Sequence, residues 1–239
     1  MKLYTYWRST TSYRVRIALN LKGVDYTSVP VDLVAGDQRS DAYAGVNPGL
    51  GVPALILDDG TTLTQSMAIL DWLEDTHPEP ALLPADPIER AHARAAALGI
   101  ATDIHPVNNL RVVGRLKSMG HTQDEAIDWM NHWMTEGFAA FQTLILPDTP
   151  FCFGAAPGLA DICLVPQLYN ARRWGTDLAP FARLTEIEGR CLALPAFDAA
   201  RPFLENAIAR HWEAKAMLAV LQYKKKDLDG VDRTFKSAA

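Results

Sequence analysis

The chain has 239 residues, of which 49% are hydrophobic and 21% charged, and a formal net charge of -5. That length suits one small and one medium domain, and that balance excludes the charge-rich, aromatic-poor composition of a disordered chain. The basic residues form no patch apart from Lys224-Lys225-Lys226, so no nucleic-acid partner is expected. No apolar run reaches membrane-spanning length, and no membrane partner is expected either.

Met1-Lys2-Leu3-Tyr4 enters patterned sequence directly, without a charged-then-apolar leader. Cys152, Cys163 and Cys191 form no C-x-x-C pair. Both features fit a reducing, cytoplasmic compartment in which all three thiols are buried and inert.

Lys2 to Trp7 reads as a first strand that ends in the polar run Arg8-Ser9-Thr10-Thr11-Ser12. From Ser12, Val15, Ala18 and Leu19 recur at helical spacing until Lys22-Gly23 stops the helix. Asp25 to Leu33 alternates and predicts a second strand, completing a βαβ unit. A short helical turn follows near Asp41 to Val46, and Asn47-Pro48-Gly49 breaks it.

Ala54 to Leu57 and Thr61 to Thr64 flank Asp58-Asp59-Gly60, which predicts a hairpin. Ser66 is the expected cap of a helix whose Ile69, Leu70 and Leu73 form one apolar stripe and which ends near His77-Pro78. The order β-α-β-α-β-β-α over residues 1–80 is thioredoxin-like. Four prolines, Pro78, Pro80, Pro84 and Pro87, then mark a linker.

Beyond the linker no strand alternation is found. Asp86-Pro87-Ile88-Glu89 opens a long helix expected to run through His105 to Arg111 with a bend at Pro106, and Thr122 with Glu125 makes a capping box for another. Further helical segments begin near Leu159, Thr185 and Ala196. The expected class is therefore α/β plus all-α: a thioredoxin-like domain, an α-helical domain over residues 88–222, and a tail over 223–239 with no assigned role.

The loop between the first strand and helix is the leading candidate site. Its hydroxyls stand at a helix N-terminus, where unpaired N–H groups and partial positive charge favour an anion; serine and threonine there also serve as plain caps. A second anion-holding place is offered by Gly51-Val52-Pro53 followed by Gln65-Ser66 at another helix start.

Arg8-Ser9-Thr10-Thr11-Ser12-Tyr13-Arg14-Val15-Arg16-Ile17-Ala18-Leu19, Asn47-Pro48, Val52-Pro53, Gln65-Ser66, Asp103-Ile104-His105-Pro106-Val107-Asn108-Asn109, Leu159-Ala160-Asp161 and Asn170-Ala171-Arg172-Arg173 occur in this order. Together they closely resemble the zeta class of glutathione transferases, over nearly everything up to about residue 205. The resemblance implies a glutathione-transferase fold, a homodimer, glutathione as cofactor, and cis-trans isomerisation of a small dicarboxylate-like maleyl keto acid in aromatic catabolism.

It also implies roles. Ser9 matches the serine that steadies the glutathione thiolate, with Thr10 and Thr11 beside it; Thr11 stands where the family often has cysteine. Val52 would pair with the cysteinyl backbone before a cis Pro53, and Gln65 and Ser66 would hold the γ-glutamyl end. His105 and Asn109 fall among the cofactor-binding positions. Asp161 belongs to a capping box that is incomplete here, since Gly158 replaces the usual serine or threonine.

Arg8, Arg111 and Arg173 are the candidate grips for the substrate carboxylates, because the planar guanidinium forks onto a carboxylate. In the implied reaction a thiolate adds to the conjugated double bond, rotation follows, and elimination regenerates glutathione. Two alternatives stand beside it: a transferase or lyase that consumes glutathione, and a noncatalytic binding module. The histidines show no ligand spacing, so no metal is expected.

Overall fold

The structure, a computed structural model, describes residues 1–202. They fall into two compact units, residues 1–75 with 196–202, and residues 76–195.

In the first unit β1 (Lys2–Thr5), β2 (Thr27–Pro30), β3 (Ala54–Ile56) and β4 (Thr62–Thr64) form one sheet in the order β2-β1-β3-β4. β1 and β2 are parallel, which requires the crossover supplied by α1 (Thr10–Leu21); β3 pairs antiparallel with both β1 and β4, as a hairpin allows. α2 (Asp41–Ala44) and α3 (Ser66–Thr76) complete the βαβαββα order read from the sequence. β2 stops at Pro30, short of the alternation through Leu33, because β1, its one neighbour in the sheet, ends at Thr5, the partner of Pro30.

Leu3, Val15, Ile17, Leu19, Leu55, Ile69, Leu70 and Leu73 are all buried and form the core of this unit. α1 begins two residues before the expected start, because Ser9 caps it: the Ser9 Oγ accepts the Ser12 N–H at 3.2 Å. α1 is buried almost all round, and this includes Arg14 and Arg16.

The segment at α9 (Pro195–Ala199), read as one more helix of the second domain, groups from Ala196 onward with the first unit. Asn20 Nδ2 donates to the Ala196 carbonyl at 2.9 Å and Arg16 Nε to the Ala200 carbonyl at 3.2 Å. The remainder of the expected helical domain and the tail lie outside the described residues.

The second unit is helical: α4 (Pro87–Leu98), α5 (Leu110–Ser118), α6 (Gln123–Leu144), α7 (Leu159–Trp174) and α8 (Ala182–Leu192). Asp86 caps α4 through the Ile88 and Glu89 N–H groups at 2.9 and 3.0 Å. The capping box of α6 is complete, with Thr122 N donating to Glu125 Oε2 at 2.7 Å and Glu125 N to Thr122 Oγ1 at 3.2 Å. α8 starts at Ala182, after a 3-10 turn, rather than at Thr185.

The single helix expected from His105 to Arg111 is not formed. α4 runs into a π-helical stretch, Gly99–Ile104, then a 3-10 turn, Pro106–Asn108, and Asn109 with extended backbone starts α5 afresh. Proline at 106 withholds the N–H that a continuous helix needs. The wider π turn carries the buried Ile104 against Gly137 of α6, where an added Cβ would overlap the Ile104 side chain. Gly137→Ala is expected to cost about 1–3 kcal/mol by overpacking, read as a lower Tm.

Gly158 has a structural reason of its own. Leu159 N donates to the Leu82 carbonyl at 2.8 Å, and a Cβ at 158 would stand 2.7 Å from that carbonyl oxygen. The glycine is thus the condition for this approach, and half of the capping box survives: Asp161 accepts the N–H groups of Gly158 at 2.9 Å and Cys152 at 3.0 Å. Burial raises the Asp161 carboxyl above its ordinary value against these two donors. Cys152, Cys163 and Cys191 are buried thiols, and burial pushes those of Cys152 and Cys191 up. Among the described residues no helix is long and apolar enough to cross a membrane, and no cluster of metal-ligating side chains is present.

Candidate active site

The site of the first unit is assembled from three loops. In the first, β1 delivers the chain to Tyr6, whose carbonyl accepts the Ser9 N–H at 2.9 Å, so that Ser9 stands at the mouth of α1. Its Oγ lies 2.8 Å from Thr11 Oγ1, and Thr11 Oγ1 in turn donates to the Val52 carbonyl at 2.8 Å. Thr10, the first residue of α1, is buried.

The second loop is held from within. Asn47 Oδ1 accepts the Gly49 N–H at 2.9 Å, while Asn47 Nδ2 and the Tyr43 hydroxyl both donate to the Gly51 carbonyl, at 2.7 and 2.6 Å. Leu50 takes the left-handed backbone at φ 53 to make this turn, and the Val52-Pro53 peptide is cis. The cis form of Pro53 is the one expected for this loop.

Burial pushes the Tyr43 phenol up from 10.0 to about 12. A raised pKa means that the folded chain holds this proton more tightly than the unfolded chain. The associated stability is complete below about pH 10 and is lost as the pH rises through about 12. Tyr43→Phe is expected to flatten that alkaline slope in a Tm-versus-pH series, and to cost about 1 kcal/mol at neutral pH for the lost bond to Gly51.

In the third loop Gln65 occupies the left-handed region, φ 68, and its carbonyl accepts the Ile69 N–H at 3.0 Å. Gln65, rather than Ser66, therefore holds the cap position of α3. Ser66 is the first helical residue and is buried, and Arg14 Nη1 donates to its hydroxyl at 3.4 Å. A non-glycine residue held in this conformation marks a place where the surroundings over-determine the backbone, a common property of binding sites.

Arg8 extends over aromatic faces, its guanidinium carbon 4.5 Å from the Trp7 ring centre and 6.0 Å from that of Tyr6, and Nη2 donates to the Tyr6 hydroxyl at 3.2 Å. This fixes a cation one residue from Ser9 at small entropic cost.

The remaining expected residues lie in the second unit. His105 ends the π-helical stretch. Asn109 spends its Oδ1 on the Arg111 N–H at 3.0 Å, capping α5, and Arg111 is exposed in the first turn of that helix. In the last turn of α7 Arg172 is committed to the nearly buried Glu188 at 2.5 Å, whereas its exposed neighbour Arg173 lies over the Trp174 ring at 4.7 Å.

Sequence reading missed Tyr43, Asn47, Arg14 and Arg16. The available signal was charge out of place, since Arg14 and Arg16 alternate with Tyr13, Val15 and Ile17.

The donor set fits an extended peptide that carries a thiol and a carboxylate. A hydroxyl stands at one helix mouth for a sulfur anion, the carbonyl of Val52 has a second lone pair open for a peptide N–H, and a second helix mouth awaits a carboxylate.

Residues 8–76 match the family model for the glutathione S-transferase N-terminal domain. The chain is 48% identical over 204 residues to a maleylacetoacetate isomerase of Pseudomonas aeruginosa, spanning 84% of this chain and 96% of that protein. Among solved structures it is similar to the holo form of maleyl pyruvate isomerase, a bacterial zeta-class glutathione S-transferase, with TM-score 0.82 and 43% identity over 84% of this chain and 97% of the other. It is also similar to maleylacetoacetate isomerase from Methylobacterium extorquens AM1 with bound malonate and glutathione, with TM-score 0.82 and 38% identity over 85% of this chain and 97% of the other.

Proposed function

We propose, from the premise that this chain belongs to the zeta class of the glutathione transferase family, that it is a glutathione-dependent cis-trans isomerase of a maleyl keto acid. The observation that carries this reading is the hydrogen-bonded run Ser9–Thr11–Val52, which sets a hydroxyl at the mouth of α1 beside a cis-proline loop.

Bound glutathione supplies a thiolate that adds reversibly to the conjugated double bond and so frees it to rotate. The chain's part is to hold the charges. Ser9 and the N-terminal N–H groups of α1 stabilise the sulfur anion, since a free thiol near pKa 8.5 is only about 3% ionised at pH 7. Val52 docks the cysteinyl backbone; Gln65 and the α3 N-terminus hold the γ-glutamyl carboxylate. Arg8 grips a substrate carboxylate and steadies the negative charge that develops away from the sulfur; for Arg111 and Arg173, on the second unit, the support for the same role is the resemblance to the zeta class. For His105 and Asn109, also on the second unit, the support for a cofactor-binding role is the same resemblance. The enzyme is proposed to work in the cytoplasm as a homodimer, which light scattering on the purified chain checks.

Purified protein given maleylpyruvate and maleylacetoacetate, each with and without glutathione, is expected to form fumaryl product only with glutathione and to leave the glutathione concentration unchanged. Depletion of glutathione would assign a conjugating transferase instead, and no turnover with either substrate would remove the isomerase. Glutathione at about 100 times its Kd is expected to stabilise the fold by about 2.7 kcal/mol, seen as a rise in Tm.

A further inference from the structure

Thr11 has one proton and two hydrogen-bonded neighbours. Its Oγ1 is 2.8 Å from the Val52 carbonyl oxygen and 2.8 Å from Ser9 Oγ. A carbonyl only accepts, so the Thr11 proton is spent on Val52, and the contact with Ser9 has a single consistent direction: Ser9 donates and Thr11 accepts. The Ser9 oxygen accepts the Ser12 N–H at 3.2 Å. Without an anion at the site, the Ser9 proton is therefore directed at Thr11.

We infer that Thr11 is a positioning residue that never touches the sulfur: its oxygen accepts the Ser9 hydrogen bond until a thiolate is present, and its proton orients the Val52 carbonyl for the cysteinyl N–H. The inference rests on the reading of Ser9 as the thiolate donor. Through one hydroxyl, the group that meets the cofactor's sulfur and the group that meets its backbone are tied together, the Thr11 bond to Val52 spanning 41 positions of sequence. On binding, Ser9 exchanges a neutral hydrogen bond for a stronger charge-assisted one, while the Thr11 bond to Val52 persists. A cysteine at 11 would keep the volume and weaken both ties, because a thiol is a poor donor and acceptor.

The roles separate in two readouts. Thr11→Val keeps the shape and removes the hydroxyl. It is expected to raise KM for glutathione about tenfold, the effect of one lost hydrogen bond. The pKa of the enzyme-bound glutathione thiol, followed by the ultraviolet absorbance of the thiolate, stays at or below the wild-type value, because Ser9 no longer has to leave an acceptor. Thr11→Ser restores KM, which separates the hydroxyl from a folding defect. A bound-thiol pKa raised in Thr11→Val as it is in Ser9→Ala would make Thr11 a direct sulfur donor and overturn the inference, and so would an unchanged KM. An unchanged thiol pKa in Ser9→Ala would instead overturn the functional reading itself.

Discussion

Ser9→Ala is expected to lower glutathione-dependent isomerase turnover about 10²- to 10³-fold, the loss that follows removal of one preorganised donor to a reacting anion. The remaining activity should climb with pH toward the ordinary thiol range, because the bound sulfur reverts toward a pKa near about 8.5. Ser9 also caps α1 through the Ser12 N–H, so the same substitution is expected to remove about 1 kcal/mol of stability. Ser9→Thr keeps both the cap and the donor and should retain most of the turnover. Ser9→Gly distinguishes chemistry from capping, because it costs the cap only a few tenths of a kcal/mol yet removes the donor: turnover near the wild-type level there would leave Ser9 as a cap alone.

Arg16→Met is expected to cost about 3 kcal/mol or more and to lower Tm by about 10 °C. The guanidinium of Arg16 is fully buried and donates in three directions at once: Nη1 to Thr5 Oγ1 at 2.9 Å, Nη2 to the Trp7 carbonyl at 3.3 Å and Nε to the Ala200 carbonyl at 3.2 Å. It also lies 5.4 Å from the centre of the Tyr13 ring. Methionine fills much of the space and leaves all three acceptors buried without this donor, which is where the cost arises.

Arg16→Lys is expected to rescue little, since a point charge with a single nitrogen cannot reach three diverging acceptors. Because Trp7 leads directly into Arg8 and Ser9, both variants should also slacken the thiolate loop, and KM for glutathione should rise with the loss of stability. An unchanged Tm in Arg16→Met would mean that Ala200 is held beside α1 by other contacts.

What was legible from sequence was local. The cap at Asp86, the box of Thr122 with Glu125 and the apolar stripe of Ile69, Leu70 and Leu73 depend on residues within a turn or two of each other, and all three appear as expected. The hairpin around Asp58-Asp59-Gly60 likewise needs only its own turn. The misread places are those where a distant partner decides. Pro106 was read as a bend; with Asn109 available as a fresh cap, the chain instead breaks there and starts again. Gly158 was read as a defect in a cap, although its reason is the carbonyl of Leu82, 76 positions earlier in the chain by numbering.

The same division runs through the site. By itself the sequence determined which chemical groups are present: hydroxyls before a helix, a proline able to take the cis form, a glutamine and serine at a second helix start, and arginines for carboxylates. Only the tertiary structure decided which way the protons point. Thr11 reads as one more hydroxyl until its oxygen is seen between Ser9 and the Val52 carbonyl, and Arg14 and Arg16 have no role of their own in the sequence until α1 is seen to be enclosed. The physical reason is that composition and periodicity specify donors, acceptors and faces, whereas a hydrogen bond's direction depends on which acceptor a fold brings within 3 Å.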